Sequence, residues 1–145
     1  MRLFGHPVHP LLVHFPIVFW SCAVASDLVG LFTHASLAAE LAFATLALGC
    51  ISGLLAMIAG VLDFADLSRD SPARDAAVAH LLAMCSAWLI YVLALALRGY
   101  PPMSPVPLLA VITNTVGFLT MAFGAWLGGK LVYEFGVGNK GGGVR

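Results

Sequence analysis

Histidine is the residue type in this sequence best suited to do chemistry. Three of the five histidines lie near the start of the 145-residue chain, in the run Gly5-His6-Pro7-Val8-His9-Pro10-Leu11-Leu12-Val13-His14-Phe15-Pro16. Neutral imidazole is an axial ligand of haem in membrane cytochromes, and it also binds zinc, copper and non-haem iron. An ionisable side chain inside a bilayer is costly unless it is paired or binds something. If this run enters a membrane, its histidines are candidates for holding a cofactor or a metal ion.

The composition indicates a membrane protein. Apolar residues make up 61% of the chain and charged residues 10%, with a mean hydropathy of +0.97, whereas soluble domains carry about 25% charged residues. The lipid bilayer is therefore the expected environment. The formal net charge is zero, so nothing here suggests a nucleic acid partner. The three cysteines stand singly in apolar segments, which fits neither a metal-binding CxxC motif nor a disulfide framework.

Four apolar segments are long enough to cross a bilayer, which takes about 20 helical residues. We expect these helices at approximately 10–33, 38–62, 76–98 and 106–133. The sequence thus predicts an all-α fold, a four-helix transmembrane bundle within residues 1–135. Residues 136–145 are rich in glycine and are expected to form a flexible tail.

Basic residues predict the orientation of the bundle. With four spans, both termini lie on one side together with the loop between the second and third helices. That side carries six of the seven Lys and Arg residues, and the other side carries only Arg98. By the positive-inside rule, both termini are expected in the cytoplasm, with the protein in a bacterial inner membrane.

The depths of two histidines suggest a shared site. His14 and His80 each lie about one turn inside a helix that starts on the cytoplasmic side, roughly 6 Å deep at 1.5 Å per residue. They could hold one haem between two facing helices, against an apolar wall of Phe15, Phe19, Trp20, Met84 and Trp88. Each also has a structural alternative: His14 could bond a backbone carbonyl freed by Pro16, and His80 could face a loop carboxylate. A second haem is not expected, because helices two and four contain no histidine.

Other polar residues are expected near the same end. Asp63 ends the second helix and Tyr133 ends the fourth, so either could hydrogen-bond a ligating histidine. His9 precedes the membrane core, where it could be solvated, cap the helix or contact haem propionates. Asp27 lies towards the opposite end of the first helix, and its possible partners there are Thr113, Asn114 and Thr115 of helix four.

These motifs resemble a known family. The opening run from Gly5 to Ile17, Gly60-Val61-Leu62-Asp63-Phe64, Ala79-His80 and the closing run from Trp126 to Gly138 are similar to the bacterial membrane family called domain of unknown function 2231. The resemblance implies a four-helix integral membrane protein. Some relatives carry fused Rieske-type or cytochrome-c-type domains, which implies electron transfer. The family's motif positions fall here on His9, His14, Asp63, His80, Gly128, Gly129 and Tyr133.

The sequence leaves three functions open. The first is a small b-type cytochrome that binds one haem b through His14 and His80, with His9, Asp63 and Tyr133 near it, and transfers electrons alone or within a respiratory or photosynthetic complex. The second is a transition-metal ion site in which His9, His14, Asp63 and His80 bind zinc, copper or iron, serving transport or a metal-dependent enzyme. The third is an accessory structural subunit without a cofactor. A redox protein, a larger membrane complex or a second copy of the chain is the expected partner. Hydrolytic catalysis is disfavoured, because no Gly-x-Ser-x-Gly motif is present.

Overall fold

The computed structural model describes residues 2–3, 6–102 and 104–138. Five helices follow one another: α1 (Val8–Leu12), α2 (His14–Thr33), α3 (Ser36–Ala65), α4 (Arg74–Arg98) and α5 (Leu108–Tyr133). Before them, the two-residue strands β1 (Arg2–Leu3) and β2 (His6–Pro7) pair in antiparallel register. The predicted all-helical bundle is confirmed. Of the predicted flexible tail, residues 139–145 lie outside the described residues.

The helices form four segments that can span a membrane. They run over Val8–Thr33, Ser36–Ala65, Arg74–Arg98 and Leu108–Tyr133, and the shortest has 25 residues. At 1.5 Å per residue, such a helix exceeds the hydrocarbon core of a bilayer, which is about 30 Å thick. The protein is therefore a multi-pass membrane protein. The first span consists of α1 and α2, interrupted at Val13, because Pro16 lacks the N–H that would bond the carbonyl of Leu12.

The bundle consists of two helical hairpins. The first hairpin comprises α1, α2 and α3, with a turn at His34 and Ala35, and the second comprises α4 and α5. The two hairpins meet in the centre, where the rings of Trp20 and Tyr91 stack with centroids 4.2 Å apart.

Glycine allows the central rings to lie against the neighbouring helices. A Cβ atom at Gly53 of α3 would lie 2.7 Å from Cη2 of Trp20, and one at Gly117 of α5 would lie 3.0 Å from Cδ1 of Tyr91. Without a driving force from water, helices in lipid associate through such close packing. Gly49 and Gly53, one turn apart on α3, both lie against the indole of Trp20.

Candidate functional site

Two histidines meet at the end of the bundle that holds the first residues of α1 and α4. His9 comes from α1 of the first hairpin and His80 from α4 of the second. Their ring centroids are 6.4 Å apart and their planes are inclined by 79°. Both side chains are partly exposed. This contact between the hairpins, which we call the histidine pair, is the candidate functional site.

Each ring of the histidine pair is fixed by a backbone carbonyl. Nδ1 of His9 lies 2.8 Å from the carbonyl oxygen of Ala56, and Nδ1 of His80 lies 2.8 Å from that of Gly124. A carbonyl oxygen can only accept a hydrogen bond, so each neutral ring carries its hydrogen on Nδ1 and donates it. The lone pair of each ring is then on Nε2. Among the described residues, neither Nε2 atom has a hydrogen-bond partner.

A glycine lies against each ring, one helical turn beyond the carbonyl that the ring bonds. A Cβ atom at Gly60 would lie 3.0 Å from Cε1 of His9, and one at Gly128 would lie 3.0 Å from Cε1 of His80. Such separations are shorter than ordinary van der Waals contact. The two imidazoles therefore fit against α3 and α5 because these positions carry no side chain.

His14 lies on the exposed surface of α2. The structure does not bring it to His80, whose ring contact is with His9. Residues five positions apart are rotated by about 140° around a helix, so His9 and His14 cannot both face the same neighbour. The depth of a residue in the membrane does not fix its rotation about the helix axis. His9 therefore contacts His80, where the sequence predicts His14.

The other predicted site residues have different surroundings. Asp63 lies near the end of α3, three residues after Gly60, and is partly buried. Tyr133 ends α5 with 87% of its surface exposed, and it borders a shallow surface groove with Trp126, Lys130 and Glu134. The structure therefore does not enclose Tyr133 with the histidine pair.

The opposite end of the bundle holds a buried ion pair that sequence reasoning missed. Arg98 ends α4 and bonds both carboxylate oxygens of Asp27 in α2, one of them at 2.7 Å. Nδ2 of Asn114 in α5 donates to Asp27 at 2.6 Å, which confirms Asn114 as a partner of Asp27. The exposed fractions of Asp27, Arg98 and Asn114 are 2%, 2% and 0%. Asp27 lies near the end of the first span and Arg98 ends the third, and these two spans cross the membrane in the same direction. Their opposite charges at the same end of the bundle are the sequence feature that could have revealed the pair.

The histidine pair offers two ligands for a metal. Among residues 6–102 and 104–138, His, Cys, Asp and Glu nowhere form a group of three or more that could hold a metal ion. Structural zinc sites use four protein ligands and catalytic ones use three. A haem iron takes four nitrogens from its porphyrin and needs only two from the protein. The two Nε2 atoms match in number the two ligands that a haem iron takes from the protein.

These features define a four-helix, multi-pass membrane protein with a histidine pair at one end and a buried ion pair at the other. The family model of predicted membrane proteins named DUF2231 matches residues 5–141, and the chain belongs to this family. No curated protein matches the chain. No solved structure matches it either.

Proposed function

We propose that this protein is a small membrane cytochrome in which His9 and His80 are the two axial ligands of one haem b. The observation that supports this proposal most directly is the pair of Nδ1 hydrogen bonds to the carbonyls of Ala56 and Gly124. Histidines that bind metals almost always donate their other ring N–H in this way, which fixes the tautomer and makes the ligating nitrogen more basic.

The spacing of the rings is compatible with a shared iron atom. To hold one haem together, the two imidazoles would have to lie close to each other on facing helices. The centroids of His9 and His80 are 6.4 Å apart.

The residues of the chain have distinct roles in this proposal. His9 and His80 would hold the haem, and the carbonyls of Ala56 and Gly124 keep the hydrogen of each ring on Nδ1. Gly60 and Gly128 leave space for each ring beside the helix. A bound haem would accept one electron from a donor and pass it to an acceptor, at a potential set by its axial ligands and its burial.

The location and partners belong to the same proposal. Six of the seven Lys and Arg residues fall on the side of the termini, which supports a bacterial inner membrane with both termini in the cytoplasm. The histidine pair would then face the cytoplasm. The chain has no second redox centre in this proposal, so its electrons would come from and go to separate redox proteins or other subunits of a membrane complex.

Absorption spectroscopy with metal analysis of the same sample tests this function. The full-length protein is purified in mild detergent from cells supplied with a haem precursor. We expect a Soret band, and reduced-state bands of a low-spin haem with two histidine ligands, at one iron per chain. A folded sample containing zinc or copper without porphyrin would instead support a metal-ion site. A folded sample that contains neither, and that takes up no added haem, would contradict the proposal and favour an accessory structural subunit.

A further inference from the structure

Contacts between the two hairpins recur at a constant sequence separation. His9 contacts His80, Trp20 stacks on Tyr91, and Asp27 pairs with Arg98. In each pair, the second residue follows the first by 71 positions (9 to 80, 20 to 91, 27 to 98). The order of the three contacts is the same along both helices, so the first span and α4 run in the same direction.

Buried residues repeat with the same separation. The four buried residues of α2 are Pro16, Trp20, Ala23 and Asp27, and the residues 71 positions later in α4, Ala87, Tyr91, Ala94 and Arg98, are all buried. Between α3 and α5 the separation is 68. Buried positions 42, 46, 49, 53, 56 and 59 of α3 correspond to buried positions 110, 114, 117, 121, 124 and 127 of α5.

Local contacts repeat as well. His9 bonds the carbonyl of Ala56 and lies against Gly60, and the same relations join His80 to Gly124 and Gly128. The carbonyls and the glycines again differ by 68 positions (56 to 124, 60 to 128).

We infer that the chain consists of two copies of one helical hairpin, related by a two-fold axis along the membrane normal. The Asp27–Arg98 pair ensures that the first hairpin associates with the second hairpin and not with another copy of itself. Residues that contact their own counterparts lie on a two-fold axis, and membrane proteins with parallel repeats have this kind of axis. The axis passes through the His9–His80, Trp20–Tyr91 and Asp27–Arg98 contacts. From residue 9 to residue 27 it extends about 27 Å at 1.5 Å per residue, close to the thickness of the hydrocarbon core.

The ion pair is the layer in which the two copies differ most. Two copies of the first hairpin would place one aspartate against another in a buried position, and two copies of the second would oppose two arginines. Like charges without partners are strongly unfavourable in such a place. Asn114 adds a second difference, because its counterpart in α3 is Leu46, which is equally buried. The ion pair thereby determines that each hairpin packs against the other one. This inference does not depend on what His9 and His80 bind.

Exchanging the differing residues in the full-length chain tests the equivalence. Asp27→Arg alone, or Arg98→Asp alone, should lower the thermal midpoint in detergent by about 10 °C or more, because each opposes like charges in a buried site. The fourfold variant Asp27→Arg, Arg98→Asp, Leu46→Asn, Asn114→Leu transfers the whole network to the opposite hairpins. It should recover most of the lost stability and the near-ultraviolet circular dichroism of the Trp20–Tyr91 stack.

A matched control separates equivalence from simple charge compensation. This control carries Asp27→Arg, Arg98→Asp and Asn114→Leu, as the fourfold variant does, but has Thr45→Asn in place of Leu46→Asn. The new amide is then one residue away from the position equivalent to Asn114 and points away from the axis. We expect this control to be less stable than the fourfold variant. If the fourfold variant is no more stable than the control, or no more stable than the single charge reversals, the two-fold relation is overturned.

Discussion

At one end of the bundle, Arg98 and Asn114 of the second hairpin both bond Asp27 of the first, whereas at the other end His9 and His80 each bond a carbonyl of their own hairpin. At the ion-pair end, the charged groups of Asp27 and Arg98 therefore join the two hairpins directly. The histidine end leaves the Nε2 atom of each ring without a hydrogen-bond partner among the described residues. This difference indicates that the ion pair joins the two hairpins, whereas the proposed haem site rests on the two Nε2 atoms of the histidine pair.

Removing one partner of the ion pair should have the largest effect on stability. Arg98→Ala leaves the Asp27 carboxylate buried without its cation, which costs about 3–5 kcal/mol in buried pairs. The free energy of unfolding in detergent, measured by thermal or denaturant unfolding, checks this value. The double variant Asp27→Leu, Arg98→Met should lose less than the single one, because it leaves no unpaired charge. Wild-type stability in Arg98→Ala would contradict the stabilising role of the ion pair.

Truncating the central stack should be the next largest effect. Trp20→Ala removes a ring that is almost fully buried between Tyr91, Gly49 and Gly53. We expect a loss of roughly 3 kcal/mol, near the lower end for large-to-small substitutions in cores, since lipid weakens the hydrophobic contribution. The same unfolding measurement applies. Trp126→Ala is the control, because the indole of Trp126 is 59% exposed and its removal should change stability far less.

Glycine substitutions at the histidine end should affect ligand binding more than stability. Gly60→Ala and Gly128→Ala each place a methyl group about 3.0 Å from Cε1 of a histidine ring, which tilts the ring away from its carbonyl. Disturbing such supporting contacts typically lowers metal affinity 10–100-fold, and we expect about tenfold weaker haem binding in a spectrophotometric titration. Gly129→Ala is the matched control, because its Cβ would meet Tyr133 at an ordinary distance of 4.0 Å. Equal affinities in all three variants would contradict the role of these glycines.

His14→Ala should have the smallest effect. The side chain of His14 is exposed on α2, and exposed substitutions usually change stability by less than about 0.5 kcal/mol. We expect unchanged unfolding and an unchanged haem spectrum. Loss of the Soret band in this variant alone would restore His14 as the ligand and remove His9 from that role.

The sequence predicted the helices well and the side-chain contacts less well. Length, hydropathy and the proline-rich break after Arg98 define the four spans, because a membrane leaves few alternatives to helices. The partner of Asp27 was expected in the stretch Thr113 to Thr115, and Asn114 is confirmed. The contact between His9 and His80 was not predicted, because it depends on the rotation of α1 and on two glycines that are distant in sequence. Depth can be estimated by counting residues, but rotation about each helix is set by how the hairpins pack.

The most direct test of the proposed haem site is a haem titration of three single variants in parallel with wild type, followed by the Soret band of the full-length protein in detergent. We predict that His9→Ala and His80→Ala each lose the spectrum of a haem with two histidine ligands and bind haem far more weakly, while His14→Ala binds like wild type. Folding of each variant is verified by its unfolding midpoint. Wild-type spectra and affinities in both His9→Ala and His80→Ala would contradict the account.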